Sequence, residues 1–392
     1  MAAVGIVAVL FSAVWVLAVF PGMKKIPADY HQTADLEGTY SVVANQDFLI
    51  QLLSNPGFQR LLSSPATLQV LGNPATGQFL ASDALKGLLA NPAVLQAVLT
   101  NPQAAAQANP QVAQVLANPA AQALLGDPVI RGILSAPAGG PLLLDARTLK
   151  LLADPAHPAM QDIPIHFHRV RTTESVDGDK LVIHQDFDAS IKGVGTPLPQ
   201  LSSKNTLVVD RQTRQYLPGG SEPRVASFSF PFDTSAAASY SLWSTEVYMP
   251  VTAVFEKEDT VSGVKVLNFR AKVSGVTLND AAKKDNALPT SLDLKADADI
   301  FWQVEPQSGI PVNGAANVTY KLNSPALGNP PVFVAKTAPT ADSVANSVDD
   351  AKSANAMLFM GGVLLPSLVA LIGSLLFIGG SMMPSKPAAK KA

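Results

Sequence analysis

Residues 163–191 have the sequence IPIHFHRVRTTESVDGDKLVIHQDFDASI, and this stretch decides the fold. Apolar and polar residues alternate through 165–172 and again through 180–191, with Asp177-Gly178 between them. A period of two is typical of a strand with one buried face, and Asp-Gly marks a tight hairpin turn. The stretch therefore predicts two antiparallel strands joined by a hairpin.

The same alternation continues to residue 322, interrupted by turn signals such as Pro218-Gly219-Gly220. Further strands are predicted at 206–217, 225–232, 240–249, 251–257, 264–273, 298–304 and 315–322. Many short strands with tight turns indicate an antiparallel sheet. We expect residues 161–340 to form an antiparallel β-rich domain, arranged as a sandwich or a half-barrel.

A repeat of about nine residues occupies the region before this domain, from residue 46 to residue 160. Most units begin with Asn-Pro, Ser-Pro or Asp-Pro, as in NPQVAQVLA at 109–117. The first residue can cap a helix, and proline fits the first helical position. The next proline ends the helix, because the residue before proline avoids the α conformation. The repeat therefore predicts an array of short helices that are stable only when packed together.

Within most units the fourth, seventh and eighth positions are apolar, which gives each helix one apolar stripe. Either the stripes bury one another, or they leave a groove for the apolar helix of a partner. The array resembles the helical arrays of STI1-type domains in co-chaperones and ubiquilins, and that resemblance implies binding of hydrophobic segments. The candidate interaction face consists of Phe58, Leu61, Leu62, Val94, Val98, Val112, Val115, Leu116, Ile130, Ile133 and Leu134.

Both ends of the chain are uncharged and apolar over 2–21 and 357–383, lengths that suit a bilayer core. A cleaved signal peptide is disfavoured, because no basic residue precedes the first run and no small-x-small site follows it. Residues 341–356 predict a polar helix that connects to the second span. The expected fold class is an α+β membrane protein with two terminal transmembrane helices, a β-rich domain and an inserted helical array.

The basic tail at 384–392 favours a cytoplasmic C-terminus, whereas Lys24 and Lys25 favour the opposite orientation. A long segment translocates largely regardless of its charge, so the short tail should decide. We expect a two-pass protein of the plasma membrane with both termini in the cytoplasm. The main domain, which starts at 22–45, would then be extracytoplasmic.

Several segments, including FPGMKKIPADYHQTADLEGTY at 20–40, FSFPFD at 228–233 and VEPQSGIPVNG at 304–314, resemble the porin PorA family. The resemblance covers 1–44 and 163–380, and it implies a two-span envelope protein with its main domain outside the cytoplasm. The family has no established catalytic residues to carry over. A transmembrane β-barrel is not expected, because the strands are short and two apolar helices already cross the bilayer.

The composition argues against several classes of function. The net charge is −2 and only 15% of residues are charged, which leaves no basic field for nucleic acid. Cysteine is absent, and no phosphate-binding, dinucleotide-binding or nucleophile-elbow motif occurs. His166 and His168 share one strand face and could hold a metal with His184 or Asp186, although a solvated face is the simpler interpretation. We therefore assign no catalytic, cofactor or metal residues and do not expect an enzyme.

Three functions remain open. The first is a structural or interaction protein of the cell envelope. Its array would bind a second copy of the chain, giving a homo-oligomer, or an envelope protein partner. The second is a carrier that binds a lipid or an apolar helix in a β cavity or in the repeat groove; Trp243 and Trp302 then line the cavity. The segment at 301–312 resembles a strand-turn-strand of LolA/LppX-type half-barrel lipid carriers. The third is an oligomeric pore in the lipid bilayer.

Overall fold

The computed structural model describes residues 2–42, 58, 60, 61, 64–71, 73–80, 82–136, 143, 145, 148, 158, 160–286, 288, 290, 292–325 and 328–381. Its main element is one antiparallel sheet of ten strands in the order β4-β3-β2-β1-β10-β9-β8-β7-β6-β5. The strands are β1 (His31–Val42), β2 (Gln161–Asp177), β3 (Lys180–Ile191), β4 (Ser203–Asp210), β5 (Tyr240–Ser244), β6 (Met249–Val261), β7 (Val264–Thr277), β8 (Leu294–Val304), β9 (Pro311–Leu322) and β10 (Pro331–Pro339). The predicted hairpin at 163–191 is present as β2 and β3.

The first and last strands, β1 and β10, pair with each other in the middle of the sheet, with Leu36 opposite Pro339 and Val42 opposite Phe333. At Gly38 the backbones come so close that a Cβ atom would lie 1.8 Å from the Lys336 carbonyl oxygen. The sequence analysis predicted neither strand. Both alternate weakly, and their pairing depends on residues almost 300 positions apart.

Three predicted strands need correction. The strand predicted at 225–232 is wrong, since only Ser227 there forms isolated bridges. The one predicted at 206–217 ends at Asp210, whose carboxylate accepts hydrogen bonds from the backbone N–H groups of Gln212 and Thr213 and turns the chain. The one predicted at 240–249 ends at Ser244, because Tyr248 adopts a φ of 54° that a strand does not allow.

Isolated bridges connect the two edges of the sheet. Val209 on β4 bridges Tyr216, Gln215 bridges Ser227, and Ser227 bridges Leu242 on β5. The single sheet therefore curls around an interior, which matches the half-barrel rather than the sandwich. Its outer face carries ion pairs such as Arg270 with Asp299, at 2.7 Å from Nε to Oδ1.

The repeat region folds into short helices: α2 (Pro65–Leu71), α3 (Pro74–Leu80), α4 (Asp83–Leu89), α5 (Pro92–Thr100), α6 (Pro102–Ala108), α7 (Pro110–Leu116), α8 (Pro119–Gly126) and α9 (Pro128–Ser135). The side chains that cap them accept hydrogen bonds from the first helical N–H groups, as inferred from the sequence, at Ser82, Asn91, Asn101, Asn109, Asn118 and Asp127. Residues 46–57 and 149–157 of the predicted array lie outside the described residues.

The candidate interaction face lies mostly inside the array. Val94 and Leu116 are half-buried, Leu62 lies outside the described residues, and the other members are buried: Phe58, Leu61, Val98, Val112, Val115, Ile130, Ile133 and Leu134. A cavity of only about 10 Å³ remains between the helices there. These side chains could reach a partner only if the helices separated, so their role as a binding face stays a prediction.

The two ends of the chain form the long apolar helices. The first is α1 (Ala2–Val14), which continues through a π-helical turn at Trp15–Val19 to Met23. After a short helix α10 (Asp280–Asp285), the second comprises α11 (Ala341–Phe359), a π-helical turn at Met360–Leu364 and α12 (Leu365–Ser381). Two helical segments, Ala3–Met23 and Ala341–Gly379, are long and apolar enough to cross a membrane. Residues 382–392, with the predicted basic tail, lie outside the described residues.

Candidate functional site: a cavity inside the curled sheet

A cavity of about 1080 Å³ fills the interior of the sheet. Residues from eight of the ten strands, β1–β5 and β8–β10, form its wall. Small residues such as Ala34, Gly314 and Ala316 leave the space that larger side chains would fill. The volume lies slightly above the roughly 300–1000 Å³ that is typical of small-molecule sites.

The two apolar helices line one end of this cavity, which we call its mouth. Trp15, Phe20 and Met23 from the first helix line it, together with Met357 and Gly361 from the second. Trp15 Nε1 donates a hydrogen bond to the Gly361 carbonyl oxygen at 2.9 Å, which joins the two helices at the mouth. The cavity therefore extends from the sheet interior to the segments that can cross a bilayer.

The pairing of β1 with β10 explains why the mouth lies there. The first helix ends just before β1, and α11 starts just after β10, so both helices leave the same end of the sheet. The start of α11 is held to β1, because the Asp35 N–H donates to Ser343 Oγ at 2.7 Å. Further along α11, Val348 and Ala351 pack into a hydrophobic cluster with residues of β7 and β9.

Aromatic side chains make up much of the cavity wall. Phe167 and Phe187 stack with their ring centroids 4.9 Å apart. The hydroxyl groups of Tyr40 and Tyr320 donate to the backbone and side-chain oxygens of Asn286 at 2.8 and 2.9 Å. Burial raises the pKa of both tyrosines well above the usual value, so the hydroxyl groups remain protonated donors.

Four arginines line the cavity, and three of them have partners in the chain. Arg171 donates to Gln185 Oε1 at 2.7 Å, and its guanidinium lies 4.8 Å from the centre of the Phe228 ring. Arg214 donates to the carbonyl oxygens of Phe230 and Ser308. Arg224 forms an ion pair with Glu222 at 3.1 Å, from Nη2 to Oε2.

Arg169, the fourth, has no hydrogen bond or ion pair to any described residue. Its Nε atom is buried without a partner, and its side chain borders the cavity. Burial, and then the nearby charge of Arg171, lower the pKa of Arg169 to about 9, so the group still carries a proton near neutral pH. The cavity wall therefore contains a partly buried cation that forms no ion pair, although the more distant charge of Glu246 acts on it.

A sequence model described as Porin PorA matches residues 136–382, which is more than half of the chain. The chain belongs to the porin PorA family. The match contains β2–β10, most of the cavity wall and the second apolar helix. The resemblance inferred at 1–44 lies outside the matched residues, and the STI1-type resemblance of the array stays a prediction. No curated protein matches the chain. The family and the two apolar helices indicate a membrane protein.

The histidines considered in the sequence analysis lie on the outer face of this PorA-family sheet, away from the cavity. His168 Nδ1 lies 2.7 Å from Asp35 Oδ1, and His166 Nε2 lies 3.3 Å from the same oxygen. His184 instead contacts Asp186, with Nε2 and Oδ1 3.4 Å apart. No group of three or more histidine, aspartate or glutamate side chains among the described residues is arranged to hold a metal ion.

Sequence reasoning found part of this site and missed the rest. Trp243 and Trp302 do line the cavity. Phe269 lies behind the wall, where it packs against the lining residue Phe230 and against Phe255. The arginines were missed, although a signal was present. In the period of two along β2, Arg169 and Arg171 share a face with Ile165 and Phe167, and a cation on the apolar face of a strand indicates a lined cavity.

Proposed function

We propose that this PorA-family protein is a membrane-anchored binding protein that takes a lipid, or a similar amphiphile, from the bilayer into its sheet. One observation carries the proposal: a single cavity is lined both by the interior of the sheet and by the apolar terminal helices. A ligand can therefore pass from the level of the membrane to the interior without crossing water.

The chemistry of the wall also supports a lipid. Apolar and aromatic side chains such as Ile165, Phe167 and Phe187 provide the burial that acyl chains gain from, at about 25 cal/mol per Å². Unpaired donors in the wall suit the polar end of an amphiphile; among the described residues they are Trp243 Nε1 and the Nε atoms of Arg169, Arg214 and Arg224. Binding without catalysis is the proposed activity.

The proposed topology places both termini in the cytoplasm and the sheet outside the plasma membrane. The array is proposed to form the domain's far end, since its side chains and those of the sheet belong to one buried hydrophobic cluster. Association with a second copy or with an envelope protein through the array is a further part of the proposal. The lipid-binding role takes precedence over it, because the cavity is formed within one chain.

The family name makes a pore the second candidate. The outer face of the sheet disfavours insertion of the sheet itself into lipid, because it carries Asp35, Glu37, Arg270 and Asp299. A pore would have to form from the terminal helices of several copies. Reconstitution into planar bilayers tests it, and stable unit conductance steps from the full-length chain would favour the pore.

The lipid-binding proposal is tested by native mass spectrometry of the full-length protein purified in mild detergent. We expect the wild-type protein to carry stoichiometric lipid. Ala316 is 9% exposed and lines the cavity, so Ala316→Trp should fill the space and reduce the bound lipid. Its neighbour Asn317 is exposed on the outer face, and Asn317→Trp is the matched control.

Protein that is folded and free of lipid would contradict the proposal. Equal lipid content in Ala316→Trp and Asn317→Trp would contradict the cavity as its location. Circular dichroism of both variants checks that the sheet is intact.

A further inference from the structure

The charge of Arg169 has no partner within its own row of the sheet. Its cross-strand neighbours are Ala34 on β1 and Phe187 on β3, and neither can accept a hydrogen bond through its side chain. The next row differs, because there Arg171 lies between Gln32 and Gln185 and donates to both amide oxygens. The sequence therefore provides polar partners for one arginine and apolar neighbours for the other.

The two arginines place two positive charges next to each other in the cavity wall. They lie two residues apart on the same face of β2, roughly 7 Å along the strand. Arg171 is hydrogen-bonded only to neutral amides, and neither arginine forms an ion pair with a described residue. Both side chains line the cavity and are only partly buried, so a bound ligand can contact their guanidinium groups.

Four carboxylates also line the cavity, those of Asp29, Glu246, Asp285 and Asp350, and none of them forms an ion pair with Arg169. Glu246 accepts a hydrogen bond from Ser244 Oγ at 2.7 Å and lies beyond ion-pair distance from Arg169. Asp285 interacts with Glu222, which in turn pairs with Arg224. No described carboxylate therefore pairs directly with Arg169, and the negative charge of Glu246, at a longer distance, only partly opposes the lowering of its pKa.

We propose that Arg169, assisted by Arg171, binds the phosphate head group of the lipid that enters the cavity. This inference rests on the function proposed above and specifies its ligand as an anionic phospholipid. A guanidinium presents a planar set of donors that matches two phosphate oxygens at once. The apolar neighbours Ala34 and Phe187 exclude water from the pair, which strengthens it. The acyl chains then occupy the remaining aromatic part of the wall.

The test compares two lipids with identical chains, dioleoylphosphatidic acid and dioleoylglycerol. Each displaces a neutral fluorescent lipid from delipidated full-length protein in detergent micelles. We expect the wild-type protein to bind the phosphatidic acid about 10- to 100-fold more tightly than the diacylglycerol. Arg169→Gln should abolish this preference.

Arg270→Gln is the matched control, because it removes the same charge from the outer face of the sheet. A second variant, Ala34→Glu, places a carboxylate directly opposite Arg169 and should also abolish the preference while pairing the buried charge. It keeps the test valid if Arg169→Gln does not fold.

Each outcome decides one part of the inference. Equal affinity of the wild-type protein for both lipids, or a preference that survives in Arg169→Gln and Ala34→Glu, overturns the phosphate site but not lipid binding. Displacement by neither lipid overturns the proposed function itself. Displacement by inorganic phosphate alone, lost in Arg169→Gln, would show that the site takes free phosphate and would overturn the lipid head group.

Discussion

Gly309 shows how single residues fix the loops around the cavity. Its φ of +69° lies in the left-handed region, and a Cβ atom there would lie 2.2 Å from the Pro231 carbonyl oxygen. Arg214 donates to the neighbouring Ser308 carbonyl oxygen at 2.7 Å. The turn between β8 and β9 is therefore packed directly against the segment that replaces the predicted strand at 225–232.

We expect Gly309→Ala to lower the free energy of unfolding by about 2–4 kcal/mol, because it adds a backbone clash to an unfavourable φ. The control is Gly263→Ala, where φ is +81° but no atom lies within 4 Å of the added Cβ. That variant should lose only about 1–2 kcal/mol. Denaturant unfolding in detergent measures both losses, and equal losses would show that the close approach is not real.

Asp285 gives the cavity wall a pH-dependent stability. Burial, and then the negative charge of Glu222, raise the pKa of Asp285 to about 6. The folded protein thus holds a proton that the unfolded chain releases near pH 4. The stabilisation from this proton is complete below about pH 4 and is lost as the pH rises through about 6.

Asp285→Asn should remove this dependence. We expect the melting temperature of the wild-type protein, relative to Asp285→Asn, to fall between about pH 4 and about pH 7.5. Thermal unfolding of the two proteins at both values measures the difference. A difference that stays constant or rises with pH would contradict the raised pKa.

At the scale of elements, the capping side chains of the array differ in whether they also form hydrogen bonds to other helices. Asp127 accepts hydrogen bonds from the N–H groups of Val129 and Ile130, which start α9. Its other oxygen accepts a bond from Thr67 of α2 at 2.8 Å. Asn109 caps α7 through the Gln111 N–H and makes no other side-chain hydrogen bond to the described residues.

Asp127→Ala should therefore cost more stability than Asn109→Ala. Loss of a cap alone costs about 1 kcal/mol, which is the expected effect of Asn109→Ala. Asp127→Ala also removes the acceptor of the buried Thr67 hydroxyl, which keeps only its hydrogen bond with Ser64 Oγ, and the total should reach about 2–3 kcal/mol. Chemical unfolding followed by circular dichroism measures both, and equal costs would refute the link between α2 and α9.

The elements that the sequence predicted are those with a strong local signal. The β2–β3 hairpin has an Asp-Gly turn and clear alternation, and the helices of the array have a cap and a proline in most units. β1 and β10 were missed because both alternate weakly, and because their pairing with each other joins residues about 300 positions apart. The prediction of a strand at 225–232 was wrong because the apolar residues of this segment pack beside the sheet and do not join the hydrogen-bonded ladder of the sheet.

At the scale of the whole molecule, the position of the site follows from the pairing that was missed. The sequence predicted two apolar ends and a curved sheet, and it proposed a lipid cavity only as an alternative. Joining β1 to β10 brings both apolar helices to the same end of the sheet and places the mouth of the cavity beside them. No local sequence pattern predicts this pairing. The position of Arg169 and Arg171 on the apolar face of β2, in contrast, could have been predicted from the alternation with a period of two.

The central claim is that lipid enters the sheet from the membrane. A photo-crosslinking amino acid placed at Met357, Ala316 or Asn317 tests it in intact membranes, because these positions lie at the mouth, inside the cavity and on the outer face. After irradiation, mass spectrometry of the purified chain detects lipid adducts. The account predicts lipid adducts at Met357 and Ala316 and none at Asn317. Adducts at Met357 without any at Ala316 would show that lipid surrounds the helices but never enters the cavity.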